Sequence, residues 1–144
     1  HVPSVFDAGV PYAFVPVRDL EVIERARAHP QHFGRAFGEG GPPSAFVYTR
    51  ETVGSAHHFH ARLFAPALGM PEDPATGSAV AAFAGAIARF DQPPGGSHHY
   101  LIEQGYEMKR PSVIGLEIDI EDGGVDAARI GGDAVVISRG ELSA

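Results

Sequence analysis

Residues 72–79 read Glu-Asp-Pro-Ala-Thr-Gly-Ser-Ala, with two carboxylates, two hydroxyls and a glycine directly ahead of an uncharged apolar run over 78–88. Val80, Phe83, Ala84 and Ile87 recur there at helical spacing, so the stretch reads as a helix start. Such a start leaves several backbone N–H groups unpaired and carries the positive end of the helix dipole. Gly77 and Ser78 therefore form a seat for an anion, and Gly77 lets a ligand approach the backbone closely. Asp73 precedes Pro74, which disfavours α geometry at residue 73 and holds the acid outside the helix. An acid beside an anion seat can exchange a proton with a bound small carboxylate once its surroundings tune it. The plainer alternative is that Thr76 or Ser78 simply caps a buried helix, with the acids ahead of it favouring the dipole.

Other patterns point less far. His58 and His60 share one face of a strand in "HHFH" (57–60), and His98 and His99 add two imidazoles, but metal ligation needs a converging third or fourth ligand. With no Cys and no spaced acidic partner, the sequence assigns neither a metal site nor a cofactor. The glycines at 38–41 and 131–132 lack the preceding strand and following helix of a phosphate loop and read as turns. Arg62 and Arg110 are available to a substrate acid, although a structural ion pair is the commoner fate of a lone arginine.

These residues need elements to hold them. Residues 11–17 form an edge strand bounded by Pro11 and Pro16, and Asp19 caps a helix that runs to about His29. The Gly- and Pro-rich stretch 30–43 reads as a loop, a candidate lid. Strands are expected at 44–49, 58–64, 100–104 and 112–121, the last with Ile114, Leu116, Ile118 and Ile120 on one face. Turns at 121–124 and 131–132 make 125–130 and 133–139 the final strands of an antiparallel meander. A helix that is apolar all round is buried all round, so something must surround residues 78–88. The expected fold is α+β, a curled, mostly antiparallel sheet wrapped around a central apolar helix, as a single domain over 1–144.

Composition narrows the partners. The 144 residues are 44% hydrophobic and 20% charged, as in a globular protein with one core. Eleven basic against 18 acidic residues give a net charge of −7, which repels nucleic acid and anionic lipid. The absence of Cys suits a reducing cytoplasm and excludes thiolate chemistry. No apolar run has membrane-spanning length, and the first residues lack the pattern of a signal peptide. The sequence starts at His1 without a Met, as an expression scar or the cut end of a longer chain would.

The segments "HARLFAPALGMPEDPATGSAVAAFAGAIA", "IEQGYEMKRPSVIGLEI" and "ARIGGDAVVISRGEL" closely resemble the C-terminal half of the phenazine-biosynthesis PhzF-like family, and "FDAGVPYAFVPVRDLE" and "VYTRET" fit the same pattern. The resemblance implies a diaminopimelate epimerase-like fold, with two similar domains and the active site in the cleft between them. It also implies a cofactor-independent isomerase that moves protons on small amino or hydroxy carboxylates. Epimerase members use paired cysteines and the PhzF-like branch carboxylates, so a chain without Cys fits the latter. Carried over by the motif, Asp73 matches the aspartate that contacts substrate and assists proton transfer, while Gly77 and Ser78 match the pair that holds the substrate carboxylate. His60, in the strand leading to the motif, is a further substrate-binding candidate.

The family's principal acid/base is a glutamate of the first domain, where a Gly-His pair also faces the cleft, and no segment here resembles that domain. Glu72 sits beside Asp73 rather than across the cleft and is not its replacement. The resemblance thus implies half an enzyme, inactive alone, completed by an N-terminal domain in cis or in trans, with a homodimer as a further expectation from the family. The rival expectation is a non-catalytic small-acid-binding or assembly module.

Overall fold

The computed structural model describes residues 1–37 and 40–142. Along the chain run β1 (Ser4–Asp7), β2 (Pro11–Pro16), α1 (Leu20–Arg25), α2 (Pro30–Phe37), β3 (Ala45–Thr49) and β4 (Phe59–Ala65). A 3-10 turn (Pro66–Leu68) leads into β5 (Met70–Asp73), followed by α3 (Gly77–Asp91), β6 (Gly96–Gln104), β7 (Ser112–Glu121) and β8 (Gly124–Gly131). One sheet has the order β1-β2-β3-β4-β6-β7-β8, with β5 also paired to β4. Pairing is antiparallel except at β2–β3 and β4–β6, where α1 with α2, and α3, make the crossovers.

α3 packs against strands at both ends of the sheet, β1 and β2 on one side and β7 and β8 on the other, so the sheet curls around it as a half-barrel. Ala79, Val80, Ala82, Phe83, Ala84, Ala86 and Ile87 are buried, as the uncharged run over 78–88 requires. The strands supply alternate residues to this core: Tyr12 and Phe14, Phe46 and Tyr48, Phe59, Ala61 and Leu63, then Ile114, Leu116, Ile118 and Ile120. At Gly85 an added Cβ would stand 2.6 Å from the Phe6 ring, so this glycine is what lets β1 close against the helix. The other face of the sheet holds a smaller cluster in which Ile23 of α1 covers Val47 and Phe64.

The α+β half-barrel is the expected fold, with differences in detail. The segment 11–17 is not at the edge: β1, unforeseen, pairs with it, and the two prolines sit at the strand's ends where no ladder bond is lost. α1 stops at Arg25 rather than near His29, because Arg62 takes the carbonyls of Ile23, Glu24 and Ala26 and so completes a short helix end. Residues 30–37 form a helix, not a loop. Pro30 suits its first turn, and the Phe33 and Phe37 rings meet one turn apart, tilted, with centroids 4.8 Å apart. Gly38 and Glu39 of the expected turn lie outside the described residues. Residues 133–139, expected as a strand, have no strand partner, and Val135, Val136 and Ile137 are exposed. The turn at 121–124 is a tight one, with Asp122 and Gly123 both at positive φ. Among the described residues no helix is long and apolar enough to cross a membrane.

Candidate active site

β5 and β6 lie on the same side of β4, one antiparallel and the other parallel to it, so their carboxyl ends point at each other. Gln104 ends β6 opposite Ala61, and Asp73 ends β5 opposite Leu63, two positions further along β4. The chain leaves this junction through Pro74 and Ala75 and enters α3. Next to Gln104, Gly105 has φ +80°, and a Cβ there would stand 2.4 Å from the Arg110 carbonyl oxygen and 2.7 Å from that of Pro74. Only glycine permits this approach.

Gln104, fully buried, holds the junction with its whole amide. Its Nε2 donates to the Asp73 carbonyl (2.7 Å) and to Thr76 Oγ1 (3.0 Å), and its Oε1 accepts from the Thr76 N–H (3.2 Å). The Thr76 hydroxyl in turn donates to the Asp73 carboxylate at Oδ2. Thr76 occupies the N-cap position of α3 but makes no side-chain cap. A cap of this kind stabilises a helix by about 1 kcal/mol. Its hydroxyl is turned toward the acid instead, which leaves the first-turn amides of α3 without a side-chain partner among the described residues. Ser78, exposed at the first turn, shares a 2.7 Å hydrogen bond with the Tyr12 hydroxyl from β2. Asp73, Gly77 and Ser78 are thus together at one end of α3, on the core side of the sheet. A cavity of about 490 Å³ opens beside Ala75, walled by the residues that start β7 and end β8.

His60 is elsewhere. Strand alternation puts it with Arg62 on the outer face of β4, 2% exposed. Its Nδ1 bonds Glu103 (2.7 Å) and its Nε2 bonds Glu107 (3.0 Å). Burial alone pulls its pKa down, but the hydrogen bonds from Glu107 and Glu103 outweigh that and raise it. Burial likewise disfavours the charged forms of Glu103 and Glu107, yet their bonds to His57 and backbone N–H groups, and to His60, bring both below the usual value. Glu72 forms a two-toothed ion pair with Arg62, both contacts at 2.8 Å. A cavity of about 580 Å³ lies on this outer face beside Arg62, Glu72 and Glu107 and is not lined by Asp73. The fixed charges there read as structure: Nε, Nη1 and Nη2 of Arg62 all donate within the fold.

Sequence reasoning treated Thr76 as a cap and passed over Gln104 and Tyr12. The one available signal was positional, since "IEQG" ends a strand at a glycine, where a side chain can meet another loop closely.

The fold is an α+β half-barrel, a sheet curled around one helix with an acid set beside the helix start. The chain matches the family model of phenazine biosynthesis-like proteins over residues 1–140 and belongs to that family. It is 46% identical to an uncharacterized isomerase of Mesorhizobium japonicum, over 99% of this chain and 48% of that protein. It is 32% identical to a trans-2,3-dihydro-3-hydroxyanthranilate isomerase of Pseudomonas chlororaphis, over 96% of this chain and 47% of that one. Among solved structures, the phenazine biosynthesis protein of the PhzF family from Bacillus anthracis superposes with a TM-score of 0.77 at 23% identity, over 89% of this chain and 44% of its own. A predicted epimerase from Pseudomonas aeruginosa gives 0.65 at 30% identity, over 97% and 45%. The chain spans about half the length of the curated relatives it matches, or less.

Proposed function

We propose that this chain is one wall of the active site of a cofactor-independent isomerase, in which Asp73 moves a proton on a small amino or hydroxy carboxylate seated at Gly77 and Ser78. The observation that carries this reading is the Thr76 hydroxyl, which is withdrawn from the helix end it would cap and given to Asp73. One change prepares both halves of the site, an oriented acid and a free set of helix-start donors for an anion.

An isomerisation conserves protons, so a group must take one from carbon and a group must return one at another position. Asp73 is one such group. Glu72, Glu103 and Glu107 are turned to the other face and already paired with Arg62, His57 and His60. On this reading a further acid/base is supplied by a preceding domain in cis or by a separate chain. The bare, β-branched Val135, Val136 and Ile137 are a strand-forming surface for that partner to cover.

The test uses the full-length protein with trans-2,3-dihydro-3-hydroxyanthranilate, the compound in the relatives' names, in deuterated water. Incorporation of deuterium into carbon and conversion to an isomer, both followed by NMR, are expected; Asp73→Asn should lose both without a change in melting temperature, and residues 1–144 alone should show neither. Carboxylate binding without exchange in the full-length protein would favour a small-acid-binding module instead.

A further inference from the structure

We infer that Gln104 and Thr76 are positioning residues for Asp73, forming a one-way hydrogen-bond relay that anchors Oδ2 and leaves Oδ1 as the oxygen that handles the proton. The inference rests on the proposed role of Asp73 and adds to it the direction and purpose of the network behind it.

The direction follows from what each group can do. The Gln104 amide nitrogen only donates, and both of its partners, the Asp73 carbonyl and Thr76 Oγ1, accept. The opposite orientation of the amide would set oxygen against the Asp73 carbonyl and nitrogen against the Thr76 N–H, two mismatches at once. With one lone pair of Thr76 Oγ1 taken from behind, its single proton points forward to Asp73 Oδ2. Oδ2 is then an acceptor in every step, and a proton in transit resides on Oδ1.

A purely structural role would be met by Thr76 capping α3, the commoner arrangement for a threonine in that position. Gln104 makes that unnecessary for the loop by holding Thr76 through its backbone N–H. The hydroxyl is free of the helix because the glutamine, fully buried and fixed on β6, does the holding. The acid is thereby referenced to the sheet through a residue of β6.

The full-length protein carrying Thr76→Val, Thr76→Ser or Gln104→Glu tests this, with melting temperature as a check on folding. Thr76→Val keeps the shape and removes the proton donor; kcat should fall on the order of 100-fold, the loss typical of a displaced catalytic group, while KM holds. Thr76→Ser should restore most of kcat. Gln104→Glu keeps the size but turns a donor into an acceptor, so Thr76 is drawn backward and kcat should fall as in Thr76→Val. Wild-type kcat in folded Thr76→Val, or in folded Gln104→Glu should the valine variant fail to fold, overturns the relay. If the wild type is silent on trans-2,3-dihydro-3-hydroxyanthranilate, the substrate reading fails separately, and crystal structures decide the relay. An Asp73 carboxylate displaced by more than about 0.5 Å in either variant, and in place in Thr76→Ser, supports it; an unmoved one overturns it.

Discussion

Replacing Glu103 by Gln should destabilise the protein strongly and change the shape of its pH–stability curve. The carboxylate is fully buried and accepts four hydrogen bonds: from Gly54 N–H (2.6 Å) and His57 (2.6 Å) at one oxygen, and from Val53 N–H (2.9 Å) and His60 (2.7 Å) at the other. An amide turns one oxygen into a donor facing two donors. Hydrogen bonds to a charged group contribute about 1.5–3 kcal/mol each, and breaking a buried ion pair costs about 3–5 kcal/mol, so the loss should fall near 3–5 kcal/mol. That is a large fraction of an ordinary domain's stability. In the wild type, the raised pKa of His60 adds stability that is complete below its ordinary 6.5 and fades as the pH climbs through the folded value. The lowered pKa values of Glu103 and Glu107 add stability that is complete above their ordinary 4.5 and fades as the pH falls through the folded values. The two contributions overlap fully between 4.5 and 6.5. In Glu103→Gln the acid limb should shrink, since one of its two carboxylates is gone, and the alkaline decline should begin earlier, since His60 keeps only Glu107. Urea unfolding of the 144-residue chain at a series of pH values measures both. A loss below about 1 kcal/mol inside that window, or an unaltered curve, would refute the reasoning.

Three further substitutions probe other joints. Gly105→Ala forces a side chain into a left-handed position against two carbonyl oxygens; it should cost about 1–3 kcal/mol in urea unfolding and, by pushing Pro74 away, lower kcat of the full-length protein as well. Gly85→Val drives Phe6 off the helix, and should cost about 1–3 kcal/mol, with amide exchange of β1 rising more than that of β6. Arg62→Met strands Glu72 and the carbonyls that end α1, and should cost about 3–5 kcal/mol in unfolding, yet leave kcat of the folded full-length protein unchanged because Asp73, the proposed acid, faces the other way.

The half-barrel was legible because its signals are long. An uncharged helical run over 78–88 demands a surrounding sheet, and the alternation of Ile114, Leu116, Ile118 and Ile120 is unbroken. What escaped was short or depended on distant contacts. Four residues of β1 hold no pattern that outweighs the glycine and proline around them, and their place is set by pairing with β2. α2 is amphipathic over only two phenylalanines, Phe33 and Phe37, in a stretch whose glycines argue for a loop. The site divided in the same manner. Asp73, Gly77 and Ser78 are neighbours in sequence, so spacing alone grouped them. Gln104 stands 28 residues beyond Thr76, and only the meeting of β5 and β6 brings the two together. The placement of His60 in particular needed the strand's parity relative to the core, which Phe59, Ala61 and Leu63 supply once the inner face is known.

Parity also explains how two adjacent carboxylates have come to differ. Successive residues of a strand point to opposite faces, so in β5 Glu72 reaches Arg62 on the outer side while Asp73 reaches Thr76 on the core side. A slip of one residue would exchange them, sending the acid to the arginine and the structural glutamate to the helix start. The register of β5 on β4 is itself irregular, shifting between Leu63 and Ala65. It is fixed by the tight connection, a 3-10 turn over Pro66–Leu68 closed by Gly69 at φ +74°, a conformation glycine adopts at no steric cost. The four residues of that turn thereby decide which of the two carboxylates turns to the core side.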